Sequence, residues 1–461
     1  MATISKQNTP LVTQPLKTSP ATGATLASLG INRCIPLLHG SQGCGAFAKV
    51  YLIQHLREPI PLQNTAIDQV AAVMGGDDNL FEALKTLCHK EAPQIITVMT
   101  SGLTEMQGTD TFRVIADFRQ RHPEFAATRI VNMATPDFNG SMQTGFAACV
   151  DSLVRQLVQP PSGRQRVRKQ LNVLCSVGMT SADIDTLKRY LDAFELDAVL
   201  VPDLSLSLDG HLGDDDFSPT STGGTSVLEI EQMSDSAATL VLGRSLLGTA
   251  NWLQQRFNIP LIACDMGMGI EAMDSLVMQL AKLSGRPVPS WINRARRRLQ
   301  DAMLDCHFVL SNETVGMALE PDLLMGYSTL LSEMGIKQPT VVTTVDMAGL
   351  AELDAGEVII GDIHRLSQTT ANLRLVISNS HAAAVFEPDT PVLRAGYPCH
   401  DQFGNMDVQQ FGYEGSRERL FALANLVLRH HHDEVAPHIS RYRFGADQVT
   451  PHPATATRVS A

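Results

Sequence analysis

The chain has 461 residues, 44% hydrophobic and 18% charged, enough for substantial cores and more than one domain of typical size. A formal net charge of −12 argues against a general nucleic-acid binder, and the polar opening MATISKQNTPLVTQPLKTSP lacks the apolar region of a secretory signal. No apolar run reaches membrane-spanning length, so neither nucleic acid nor a membrane is an expected partner.

In chain order, GGDDNL (75–80) reads as a helix cap, followed by NLFEALKTLCHKEAP (79–93) with Leu80, Leu84 and Leu87 at helical spacing. Asn79 and Glu82 offer that helix a capping box. QIITVMTSG then reads as a buried strand and turn, and RIVNMATPDFNGS (129–141) repeats strand and polar loop. A proline-rich, basic break, PPSGRQRVRKQ (160–170), comes next. Beyond it LNVLCSVGMTSADIDTLKRYLDAFELDAVLVPDLS reads as strand, loop, helix and strand, the helix starting at Ser181 or Asp183. FNIPLIACDMG adds a strand, and Pro287 and Pro289 precede a basic helix. CHFVLSN opens a third set, with a helix near 321–335 and strands in TVVTT, GEVIIGD and LRLVISNS.

Strands alternating with helices predict βαβ units, mostly parallel sheets covered on both faces, and ligands at the carboxyl ends of strands. We therefore expect an α/β protein of three Rossmann-like or flavodoxin-like domains. They span residues 1–165, 166–295 and 296–461, the last carrying a C-terminal helical segment.

Eight cysteines are scattered without a C-x-x-C pair, several inside apolar runs. That is the habit of reduced, core-packed thiols in a cytoplasmic protein, and Cys34, Cys88, Cys149, Cys175, Cys264, Cys306 and Cys399 are read that way. Cys44 differs, because HGSQGCG surrounds it with glycines that allow close approach of another group. A thiolate binds soft metals and iron–sulfur clusters, yet a cubane takes four of them. Either Cys44 is a structural thiol or its co-ligands come from elsewhere, and the residues alone leave both readings open. RQRVRK (164–169) and RARRR (294–298) read as solvated faces. RHHHDE (429–434) reads as a helix end rather than a metal tract, and GDDD (213–216) as solvated carboxylates. No Walker A, nucleophile elbow or H-E-x-x-H is present.

Five blocks carry a resemblance: GINRCIPLLHGSQGC (30–44), MTSGLTEMQGTD (99–110), TPDFNGSMQTG (135–145), SPTSTGGTS (218–226), and LRAGYPCHDQFG with FGYEG (393–404, 411–415). Together they resemble the β-type subunits of the nitrogenase component 1 superfamily over nearly the whole chain, the Ser41–Gln42 pair favouring the β-type side. In catalytic β subunits three cysteines bind the eight-iron P-cluster. The aligned positions here are Ser19, Cys44 and Gly102, so one ligand is kept and two are absent. Ser141 aligns with a serine that approaches that cluster when oxidised.

The pattern is similar to the family's cofactor-biosynthesis scaffolds. There a [4Fe–4S] cluster lies at a subunit interface, with three cysteines from a NifE-like partner and one, matching Cys44, from the β-type chain. The resemblance implies an α2β2 heterotetramer in the cytoplasm and an iron–molybdenum cofactor precursor held mainly by the partner. It also implies transient visits by the nitrogenase iron protein and a NifB-type cofactor donor, and a non-catalytic scaffold role. The flanking glycines are expected to let backbone N–H groups approach the cluster sulfides, and His39 to pack the loop. The alternative is a catalytic subunit, of nitrogenase or of a light-independent protochlorophyllide reductase. The absence of cysteine at 19 and 102 counts against the first, and the likeness of HGSQGC to nitrogenase β against the second. A solute-binding α/β protein would leave the cysteine-bearing stretch unexplained.

Overall fold

Apolar runs without alternation, such as IITVMT, suit strands buried on both faces, and they form the centres of three sheets. The computed structural model describes residues 2–6, 15–161, 167–212, 218–311, 313–369 and 372–434. β1 (Thr3–Lys6) is an edge of the last sheet rather than of the first. The first sheet contains β2 (Cys34–His39), β3 (Gln63–Asn64), β4 (Ile95–Thr100) and β5 (Arg129–Met133) in the order β3-β2-β4-β5. The second contains β6 (Val167–Cys175), β7 (Asp197–Val201), β8 (Ser236–Leu242) and β9 (Leu261–Cys264) in the order β7-β6-β8-β9. The third contains β10 (Val315–Leu319), β11 (Thr340–Thr343), β12 (Glu357–Ile360), β13 (Leu375–Ser378) and β14 (Val392–Arg394) in the order β1-β12-β11-β10-β13-β14. Every strand pairing is parallel, as the expected α/β class requires.

The strand order reverses between β2 and β4 in the first sheet, between β6 and β8 in the second and, β1 aside, between β10 and β13 in the third. Connections leaving two such neighbours part to opposite faces and open a crevice at their carboxyl ends, where doubly wound sheets bind ligands.

Local details differ from the expectations where capping was inferred from spacing. The helix Asp77–Glu91 follows Gly76, so Asn79 is inside it and donates to the Thr65 carbonyl instead of capping. The helix Ser181–Ala193 starts at the first of its two expected residues, with Thr180 as its cap and Asp183 closing the box. The basic helix runs from Ser290 to Leu310 across the boundary drawn at 295, and its Arg296 grips Asp274 with two nitrogens. It packs against the C-terminal helix Gly412–Glu434, whose last residues are the RHHHDE run. GDDD and residues 164–166 lie outside the described residues. Among the described residues no helix is long and apolar enough to cross a membrane.

One helix pair fixes the approach to the site. A Cβ on Gly23 would lie 1.8 Å from the Met142 carbonyl oxygen, and a Cβ on Gly145 would lie 1.8 Å from that of Pro20. The helices Pro20–Leu29 and Met142–Leu157 thus touch backbone to backbone. Any side chain at either glycine would force them apart and displace Ser19, which caps the first of them.

Candidate functional site

The crevice of the first sheet opens after β2 and β4, and both ends carry residues singled out by sequence. β2 ends at His39, Gly40 and Ser41 follow, and the helix Gln42–Leu56 starts at once. Cys44 therefore sits in the first turn of a helix, not in a loop. Gly40, Gly43 and Gly45 all keep negative φ, so none serves an unusual backbone; proximity explains Gly40 and Gly45, whereas a Cβ on Gly43 would meet nothing within 4 Å. A Cβ on Gly45 would meet Asn64 Nδ2 at 2.8 Å, and one on Gly40 would meet Ser101 Oγ at 2.8 Å. Asn64 Nδ2 donates to the Ser41 carbonyl (2.8 Å) and the Gly40 N–H donates to Thr65 Oγ1 (3.1 Å), which pins the turn from strand to helix.

The Cys44 thiol is exposed, with Ser41 Oγ 3.3 Å from its sulfur, whereas the other seven cysteines are buried. Burial holds thiols such as Cys149, Cys264 and Cys399 protonated, pushed up to about 12, which suits packing and not metal ligation. Among the described residues no three His, Cys, Asp or Glu side chains are grouped to hold a metal ion.

Cys44 lines a mostly apolar pocket of about 470 Å³ that also contains Ser19, Phe47, Tyr51, Ser101 and Asp137. Ser19 is the N-cap of the helix Pro20–Leu29, its hydroxyl accepting the Ala21 N–H (3.2 Å) and donating to Asp137 Oδ1. Gly102 follows Ser101, and a Cβ there would lie 3.7 Å from the Asp137 nitrogen and 3.8 Å from Asp137 Oδ2. Positions 19 and 44 thus line one pocket at the first sheet's crevice, and position 102 adjoins its Ser101 and Asp137. The N-termini of the helices Pro20–Leu29 and Gln42–Leu56 both open on it, and their dipoles favour an anionic ligand. The donor set fits an iron–sulfur cluster only in part: one accessible thiol, with the remaining ligands to come from outside the chain.

Two other residues do not belong there. Ser141 is fully buried as the N-cap of the helix Met142–Leu157, and its hydroxyl donates to Glu320 Oε2 (2.8 Å). His39 is buried with Nδ1 3.0 Å from Thr65 Oγ1, and desolvation lowers its pKa to about 4, so it stays neutral and packs the turn as expected. Asp137 stands inside a block that sequence reasoning used, but nothing in its local pattern marked it.

The rim is apolar and open. Phe47 is 79% exposed, Val50 52%, Phe138 64% and Met106 79%. The short helix Gln69–Met74, tied to Gln107 Nε2 through the Ala71 and Ala72 carbonyls, adds exposed Val73 and Met74. Exposed apolar side chains of this kind beside an exposed thiol are the sort of surface that suits a protein interface.

Glu320, where Ser141 is engaged, gives a pH prediction. Burial pushes its carboxyl from 4.5 up to about 7, against hydrogen bonds from Ser141 and Thr344. The folded state binds this proton more tightly than the unfolded one. Its contribution is therefore complete below about 4.5 and is lost as pH rises through about 7. Urea unfolding at pH 5 and pH 8 should show a loss of about 2–3 kcal/mol from this group. Glu320→Gln, which cannot ionise, should remove that part of the pH dependence. An unchanged profile would contradict the assignment.

Comparison with known proteins agrees with the fold. Residues 19–428 match the family model described as Nitrogenase component 1 type Oxidoreductase. The chain is 40% identical over 446 residues to the nitrogenase iron-molybdenum cofactor biosynthesis protein NifN of Klebsiella pneumoniae, covering 96% of each. It is 42% identical to the NifN protein of Nostoc sp., covering 93% of this chain and 96% of that one. A chain of the solved structure "Nitrogenase Cp1 at pH 6.5" superimposes with a TM-score of 0.86 at 27% identity, covering 94% of this chain and 98% of that one.

Proposed function

Because the chain belongs to the nitrogenase component 1 type oxidoreductase family, we propose that it is a scaffold subunit for biosynthesis of the iron–molybdenum cofactor, holding a [4Fe–4S] cluster jointly with a NifE-like partner. The observation that carries this reading is the single exposed thiol, Cys44, in the crevice of the first sheet, beside two helix N-termini and inside an open apolar rim.

Cys44 supplies one thiolate and the partner three. The Ser41 hydroxyl, 3.3 Å from the sulfur, donates to that thiolate and holds its direction. Phe47, Val50, Met106 and Phe138 bury against the partner and exclude water from the shared site. When bound, the cluster supplies one-electron transfer. The cofactor precursor is cargo, delivered by a NifB-type donor and held mainly by the partner. Molybdenum and homocitrate come with the nitrogenase iron protein, and all of this takes place in the cytoplasm. The cluster site belongs to the first of three units, 1–165, 166–295 and 296–461, with β1 joining the last sheet and the helix Ser290–Leu310 spanning the second boundary.

A catalytic subunit of nitrogenase or of a protochlorophyllide reductase is the second reading. Serine at 19, occupied by the Asp137 carboxylate, and glycine at 102 disfavour the nitrogenase form of it, since neither can bridge an eight-iron cluster. Native mass, iron and sulfide content and electron paramagnetic resonance, measured on the chain alone and with its partner, separate the readings. The expected result is an α2β2 assembly with cubane signals, and no stable cluster on the chain alone. A P-cluster signal, or a monomer with a complete cubane, would overturn the scaffold reading.

A further inference from the structure

We infer that Asp137 is a positioning residue that holds a fixed negative charge beside the cluster site and makes a cluster there harder to reduce; the inference rests on the cluster reading above. Among the described residues lining the Cys44 pocket, Asp137 is the only one with a charged side chain. Its side chain is exposed in the isolated chain, but its direction is held. Its Oδ1 accepts the Ser19 hydroxyl, and Ser19 is held in turn by the Ala21 N–H and by the glycine-mediated contact beneath its helix. Its Oδ2 reaches to 3.8 Å from the place of a Cβ on Gly102. The carboxylate therefore spans the space between Ser19 and Gly102, on the wall of the pocket that Cys44 also lines.

The surroundings decide how strongly this charge is felt. The pocket is lined mainly by Ala21, Leu38, Phe47, Ala48, Val50 and Tyr51. A partner seated on the apolar rim would dry it further. Charge–charge interactions strengthen as the effective dielectric falls. Adding an electron to an anionic cluster next to a fixed carboxylate is then disfavoured. The two helix N-termini act in the opposite sense, so the potential reflects both.

The test is Asp137→Asn in the complex with the partner chain, a change that keeps shape and leaves an amide oxygen for the Ser19 hydroxyl. Asp301→Asn, on an exposed face of the helix Ser290–Leu310, is the control for net charge. Potentiometric titration followed by electron paramagnetic resonance should show the midpoint rising in Asp137→Asn with iron content unchanged. The expected change is three- to tenfold in the reduction equilibrium, about 30–60 mV for one electron. Asp301→Asn should leave the midpoint where it was. An unmoved midpoint, or loss of iron, in Asp137→Asn would overturn the inference while leaving the cluster reading intact. A parent complex without any cluster would overturn both.

Discussion

Cys44→Ala, prepared together with the partner chain, should lose the shared cluster. With one of four thiolates removed, water or another side chain must complete the site, so the cluster becomes labile or settles as a three-iron form. Iron at the interface should fall from about four atoms to about three or fewer, and cofactor maturation should fall with it. The fold itself should survive. Cys44 is exposed in the first turn of the helix Gln42–Leu56, and alanine is the best helix former. Cys88→Ala and Cys306→Ala are the controls, since both thiols are buried and neither lines the Cys44 pocket. They should cost about 1 kcal/mol in lost packing and leave the iron content alone. A normal cluster in Cys44→Ala, with loss of iron in either control, would show that the ligand has been misassigned.

Asp322→Ala should be the most destabilising of the single changes considered. The crevice of the second sheet, between the ends of β6 and β8, is filled by this carboxylate rather than by a ligand. Asp322 enters from the helix Pro321–Glu333 of the third sheet and is 1% exposed. Its Oδ2 accepts the hydroxyls of Ser176 (2.8 Å) and Ser245, and its Oδ1 accepts the Ser245 N–H (3.1 Å). Gly243 leaves room for it, since a Cβ there would lie 2.5 Å from Oδ2. Truncation empties the crevice and strands these donors in a buried place. Each unsatisfied group costs about 1–3 kcal/mol, and hydroxyls that can rotate sit at the low end, so a total of about 3–5 kcal/mol is expected. Asp322→Asn keeps the volume and some acceptor capacity and should lose about half as much. Urea denaturation against the exposed control Asp301→Ala measures both. A loss below about 1 kcal/mol for Asp322→Ala would mean that the crevice is held by other contacts.

The parallel α/β class followed from sequence because its signal is local. Short apolar runs alternating with periods of helical spacing specify βαβ units wherever they occur, and β4, β5, β7 and β13 lie where IITVMT, RIVNM, DAVLV and LVIS predicted. The candidate ligand was also available, since Cys44 stands in a family block and the other cysteines stand in apolar runs. The cap was missed at Asn79, where the helix begins already after Gly76, whereas the next expected helix does start at Ser181. The remainder required tertiary structure. Ser19 and Cys44 share a pocket, with Gly102 adjoining its Ser101 and Asp137, only because β2 and β4 are neighbours and the close approaches of Gly23 to Met142 and of Gly145 to Pro20 fix the helix that Ser19 caps. Asp137 acquires its place from that same packing, Ser141 turns away because Glu320 arrives from the third sheet, and Asp322 closes a crevice in a sheet it does not belong to. β1 crosses from the start of the chain to pair with β12. These contacts join residues far apart in sequence, and local periodicity carries no information about which distant side chains a three-sheet path will bring face to face.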